Sequence, residues 1–257
     1  LDELPPLLEG IPCREGTSCP DQLLRALTAI RQGTLFPAHS FLICEDPKPK
    51  ARVGLLGQLG GDVEALKASL ARMRAMKVDA VCCVGNLTGG SQGDEELLRL
   101  LLKEKVLAIQ GEGDWRRAQE PETAVSALER DAREYLQGLP QVMVFRLMER
   151  RALGFFGEYV QALPGYSDFE PFALEMNMVC NLSRFLRDEE LFPALEAMTP
   201  QFAARIVLFG QTPVWRHWRV GGVDFINVGP ARTENGVAWG LLEDRGGEVV
   251  FGLQDGE

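Results

Sequence analysis

Histidine is nearly absent from this chain, with only His39 and His217 among 257 residues. That scarcity excludes a metal centre built from a cluster of imidazoles. Long apolar runs are missing as well: no segment approaches the roughly 18 to 20 residues that cross a bilayer as a helix. Membrane insertion is therefore not expected, and with no basic-then-apolar opening segment the chain reads as soluble and cytoplasmic. Positive charge is also short. Twenty-seven lysines and arginines face 37 acidic residues, a formal net charge of −10, which repels phosphate backbones and anionic membrane surfaces. Nucleic acid is not an expected partner. The first residue is Leu1 rather than Met, so removal of an upstream piece is expected.

What is present is ordinary globular composition, 46% hydrophobic and 25% charged, in a length that suits one large domain with a full core. Six cysteines occur, and Cys82 and Cys83 lie inside the apolar run 78–84, where free thiols behave as small hydrophobes. Cys13 and Cys19 have no second thiol pair or nearby histidines, which makes them a weak zinc signal. Residues 1–20 carry Pro5, Pro6, Pro12 and Pro20 and suggest an extended arm. Asp21 can cap a following helix whose Leu23, Leu24, Leu27 and Ile30 share one face. A short strand over 41–44 and a linker over 45–50 complete a stretch, residues 1–50, that is separated here from a main domain over 51–257.

From Arg52 onward the pattern is strand, glycine turn, helix, repeated. Apolar strands are expected at 53–56, 78–84 and 106–109, with helices from Val63, over 94–104 and over 122–137. Such alternation argues for a mainly parallel sheet flanked by helices. The later half changes character. Paired strands are expected at 142–147 and 152–156, helix over 170–198, a buried strand at 206–209, and a meander through 214–220, 223–228, 236–242 and 249–253. Two sheets face to face with helices outside them is the implied architecture.

Four strand-end loops stand out: Gly57-Gln58-Leu59-Gly60-Gly61, Gly85-Asn86-Leu87, Gly111-Glu112-Gly113-Asp114 and Gly210-Gln211-Thr212-Pro213. Their order, and the apolar runs before them, resemble the calcineurin-like metallophosphoesterases, whose signatures read D-x-H, G-D-x-x, G-N-H-D/E and G-H-x-H. The resemblance covers roughly residues 52–253 and points to the bacterial small phosphodiesterase branch. It implies a four-layer αββα sandwich of the α/β class, and in the family a binuclear metal centre at the strand ends that activates water.

The ligands that such a centre needs are missing here. By the resemblance, the Asp and His of D-x-H fall on Gln58 and Gly60, and the metal-bridging Asp falls on Asn86. The Asn and His of the third signature fall on Glu112 and Gly113, and only Asp114 is kept, a residue that in the family supports the lost histidine. Phe156 stands where the family has a middle-strand histidine. Gln211 and Pro213 replace both histidines of the last loop, and Asn227-Val228-Gly229-Pro230 resembles the family's structural N-P-G-S turn. Turns of this kind retain glycine for positive φ or close backbone approach, but that need does not explain a type-specific loss of ligands. The chain is thus a degenerate member in which no catalytic residue, metal or cofactor is expected.

A fold kept without its chemistry is expected to work through its surfaces, as a protein-binding or scaffolding module. The phosphoesterase-fold subunit of retromer is a precedent by resemblance. Trp115, Trp215, His217 and Trp218 are the candidate contact residues, because tryptophan is enriched at interface hot spots. The alternative is a divergent phosphoesterase or a phosphate- or nucleotide-binding protein. It would use one hard cation on Gln58, Asn86, Glu112 and Asp114, or no metal and the nearby Arg116, Arg117 and Arg232.

Overall fold

The computed structural model describes residues 43–90, 93–120, 128–156 and 204–256. Its first element is strand β1 (Ile43–Lys50), so the segment 45–50 is strand and not linker. Pro47 and Pro49 interrupt its ladder, and the register slips between Asp46 and Pro49. An edge position tolerates this, since proline has no N–H to donate and an edge strand is paired on one side only. The sandwich thereby takes in a strand from the first fifty residues.

The βα repeats follow: β2 (Arg52–Gly57), α1 (Val63–Ala75), β3 (Ala80–Val84), α2 (Asp94–Lys103) and β4 (Leu107–Ile109). Two further helices are α3 (Glu112–Ala118) and α4 (Arg130–Gln137). The sequence suggests a loop where α3 stands, and of the helix expected over 122–137 the part before residue 128 lies outside the described residues. The second half holds the hairpin β5 (Val142–Leu147) and β6 (Arg150–Phe155), then β7 (Ile206–Phe209), β8 (Arg216–Val220) and β9 (Val223–Asn227). The chain closes with β10 (Arg232–Thr233), β11 (Gly236–Arg245) and β12 (Glu248–Gly256).

These strands make two sheets, a first in the order β10-β11-β2-β3-β4, with β12 on the far side of β11, and a second in the order β1-β5-β6-β7-β9-β8. Strands β2, β3 and β4 are parallel and buried on both faces, which is why their sequences read as unbroken apolar runs. Val53, Leu55, Cys82, Val84 and Ile109 face the other sheet, where they meet Met143, Phe145, Ile206, Leu208 and Ile226. Leu56 and Cys83 point the opposite way, into a second core shared with α1, α2 and α4. The two adjacent cysteines therefore sit in different cores, and burial pushes both thiols up from their ordinary value. On the outer face of the second sheet Phe155, Phe209, Phe225 and Trp218 are also buried. The helix expected over 170–198 lies outside the described residues.

Helix α1 starts on Asp62, whose carboxylate accepts the Ala65 N–H at 2.9 Å, and it buries Val63, Leu66, Leu70 and Met73. It ends in a Schellman closure: Lys77 N–H donates to Arg74 C=O and Val78 N–H to Met73 C=O. Helix α2 ends in the same way, with Lys105 donating to Leu102 and Val106 to Leu101. Both C′ residues are lysines at positive φ, 54° and 55°, a region that disfavours any residue with a Cβ. Lys77→Gly and Lys105→Gly are each expected to stabilise the protein by about 0.5–1 kcal/mol, read as a higher urea midpoint at unchanged slope.

Candidate functional site

The C-terminal ends of β2, β3 and β4 and the ends of β6 and β7 meet at one edge of the sandwich. Gln58 leaves β2 at φ 44°. Its N–H donates to Gly85 C=O at 3.2 Å, and its side-chain Nε2 donates to Gly210 C=O at 2.8 Å, joining the two sheets. Gly60 N–H then reaches Asn86 C=O at 3.1 Å. Asn86 itself is at φ 51°, and its Oδ1 accepts the Gly113 N–H at 3.1 Å.

Space is closed beside Gly85 and Gly111, whereas a Cβ on Gly60 would meet nothing within 4 Å. Gly85 lies at φ +67°, and a Cβ added there would come within 2.4 Å of the Phe156 ring, which is itself buried. A Cβ on Gly111 would lie 2.3 Å from the Asn86 nitrogen. The second sheet is tied in by Gly210 N–H, which donates to Phe156 C=O at 3.3 Å. Gln211 follows half-buried and Pro213 is exposed. Asn227 is fully buried on β9 and hydrogen-bonds the Thr212 hydroxyl of the same loop.

Asp114, with no exposed surface, binds the loops together. One carboxylate oxygen accepts from the Thr88 N–H and hydroxyl at 2.9 and 3.0 Å, and the other from the Gly111 N–H at 2.9 Å. That last bond caps α3, which explains a helix in a stretch whose two glycines suggest a loop. Burial pushes the Asp114 carboxyl above its ordinary value, against the pull of these hydrogen bonds. Asp94 does parallel work one layer out. It accepts from Gly89 N–H at 2.9 Å, Gly90 N–H at 3.0 Å and Arg117 Nε at 3.1 Å. The sequence reading missed Asp94, although an acidic residue opening a helix after Gly89-Gly90 was its signal.

No family model and no curated protein matches the chain. Solved structures do match. A hypothetical protein from Pyrococcus horikoshii OT3 superposes with a TM-score of 0.60 at 19% identity, covering 84% of this chain and 88% of that one. A metallophosphoesterase from Sphaerobacter thermophilus gives a TM-score of 0.55 at 15% identity, over 80% and 88% of the two chains. The fold is that of the metallophosphoesterases. At these identities the likeness concerns the fold alone.

The residues at this edge do not fit the binuclear centre that the metallophosphoesterase resemblance implies. Two dications at about 3.5–4 Å need several anionic or imidazole ligands. Gln58 and Asn86 are neutral amides already bonded to neighbouring loops. Glu112 is paired with Arg116 one turn along α3, Asp114 is engaged by three donors, and Phe156 offers only carbon. Among the described residues no group of three or more His, Cys, Asp or Glu is placed to hold a metal ion. The arginines that could serve a metal-free phosphate site are also engaged: Arg116 with Glu112, Arg117 with Asp94 and Glu120, and Arg232 with Asp62.

The four candidate contact residues separate. Trp115 is half-buried on α3. Trp218 is 4% exposed and stacks on Phe209 with ring centroids 6.1 Å apart, so it belongs to the core and not to a surface strip. Successive strand residues face opposite ways, and His217 turns to the other side. There it meets Phe251 edge-on, at 5.6 Å between ring centroids, and shares Asp224 Oδ1 with Arg219 at 2.9 and 2.8 Å. Trp215 stacks on Phe251 and donates its Nε1–H to Pro230 C=O at 2.9 Å.

Asp114→Asn places an amide N–H against a backbone N–H and is expected to cost about 1–3 kcal/mol, measured by urea unfolding. Burial alone would raise the Asp224 carboxyl, but the bonds from His217 and Arg219 outweigh it and hold the group below the ordinary carboxylate range. A depressed carboxyl contributes stability above its unfolded value and loses it as pH falls through the folded value. The stability gap between the native protein and Asp224→Asn is therefore expected to be full at neutral pH and to shrink below about pH 4, as read from urea midpoints across an acid series.

Proposed function

We propose that this chain is a catalytically inactive protein of metallophosphoesterase fold that acts by binding another protein as a scaffold. The single observation that carries this reading is the packing at this edge: the Phe156 ring packs directly on Gly85, and amides bonded to neighbouring loops stand at the ligand positions. A full core is kept, so selection on the fold itself points to surface and not to hydrolysis.

The docking surface proposed is where the outer strands of the two sheets, β8 and β12, lie side by side. Trp215 and Phe251 stack there, Arg219 donates to Val249 C=O at 2.6 Å, and Val214 and Leu253 are each 38% exposed. Large apolar side chains left in water at strand edges suit a protein partner. The proline-rich residues 1–20, which lie outside the described residues, are proposed as an alternative partner-binding segment.

Two measurements test this. Purified protein with added Mn²⁺ is expected to leave a chromogenic phosphodiester unhydrolysed. A photo-reactive phenylalanine analogue placed at Val214 or Leu253 is expected to give one discrete protein adduct in the native cell, and the same group at Leu102 on α2 is expected to give none. Steady turnover abolished by Glu112→Gln would make the protein a divergent enzyme. Equal labelling from all three positions would remove the proposed surface.

A further inference from the structure

We propose that a cleft at the opposite end of the sandwich binds a small amphipathic anion, a molecule with an apolar body and one carboxylate or sulfonate head. The cleft has a volume of about 820 Å³ and lies between β1, the β5–β6 turn and the C-terminal ends of α1 and α2. It opens at the starts of β2 and β3, whereas the phosphoesterase edge lies at their ends, so the two sites share no residue.

Its floor is apolar. Val78 and Val81 present half-buried surface from β3 and the turn before it, Leu70 and Met73 of α1 lie buried just beneath, and Met148 stands at the rim, 40% exposed. Methionine side chains adapt to varied apolar shapes, which suits a loosely shaped hydrocarbon or aryl body.

The charges around this floor are unevenly matched. Four basic side chains, Lys48, Lys50, Arg74 and Lys105, line the cleft with three acidic ones, Asp46, Asp79 and Glu104. Two of the acids are ion-paired and the third accepts backbone N–H groups through one of its oxygens. Asp46 pairs with Lys50 at 2.9 Å, Glu104 pairs with Arg74, and Asp79 accepts the Ala51 and Arg52 N–H groups at 2.7 and 2.8 Å. Lys50 is buried and also donates to Lys48 C=O at 2.6 Å, which fixes the bulged end of β1.

The ammonium groups of Lys48 and Lys105 form no ion pair or hydrogen bond among the described residues. The Schellman bonds at the ends of α1 and α2 engage the terminal carbonyls that would otherwise compete for these lysines. On a chain of net charge −10, the cleft is thus a local excess of positive charge over an apolar floor. A cationic ligand would meet two ammonium groups without a hydrogen-bonded partner, against a single carboxylate oxygen, Asp79 Oδ1, left open. A purely polar anion would leave the floor uncovered.

The test uses 1-anilinonaphthalene-8-sulfonate as the fluorescent probe and the full chain. Saturable binding is expected, displaced by decanoate and not by decyltrimethylammonium. Lys48→Glu with Lys105→Glu, both at exposed positions, is expected to weaken probe binding about tenfold or more, with the urea midpoint unchanged. Ala80→Phe, which narrows the cleft without altering its charge, is expected to weaken it as well. Arg116→Glu at the other end is a control expected to change nothing. Binding that ignores both cleft variants would overturn the proposal, and so would displacement by inorganic phosphate or tetraglutamate as effective as that by decanoate.

Discussion

The edge of this sandwich is governed by contact between β3 and the second sheet at a point with no room for a side chain. Gly85 at φ +67° lies under the Phe156 ring, and every loop around it is arranged to keep that contact. Gln58 and Asn86 accept left-handed backbone, a strain of about 1–2 kcal/mol at Gln58 and less at asparagine, and their amides bond the neighbouring loops in return. An aromatic ring and a set of amide hydrogen bonds hold the strand ends together.

Charge is handled in the same local fashion. Asp94, Asp114 and Asp224 are all buried, and each accepts at least two hydrogen bonds from named neighbours. A buried carboxylate is tolerated only on those terms. Their partners differ with their task. Backbone N–H groups at Asp114 fix the course of loops, while the side chains of His217 and Arg219 at Asp224 tie β8 and β9 to β12. The net charge of −10 therefore describes the surface and says little about these interior acids.

Much of the fold was legible because the parallel strands are apolar on both faces and the helices carry regular stripes. The boundaries of β2, β5 and β7 follow directly from such runs. Strand β1 was obscured by Pro47 and Pro49, residues that an edge position allows and a local reading does not. Helix α3 was hidden behind Gly111 and Gly113, because what starts it is the bond from Gly111 N–H to Asp114, a contact that depends on where β3 places Thr88. The loops of the site could be ordered from their glycines, but that Phe156 closes on Gly85 depends on pairing between distant strands. Grouping Trp218 with Trp215 and His217 set aside the two-residue alternation that turns Trp218 away.

Adjacent cysteines in one strand have a further use. Because Cys82 faces the gap between the sheets and Cys83 faces the helices, their side chains diverge and cannot bridge each other without dismantling β3. Burial also keeps both protonated and unreactive. Alkylation of either one is thus a clock on a different event. Cys82 records separation of the sheets, Cys83 records lifting of the helical layer, and fragmentation of a singly labelled peptide between the two cysteines would tell which half of the molecule breathes first.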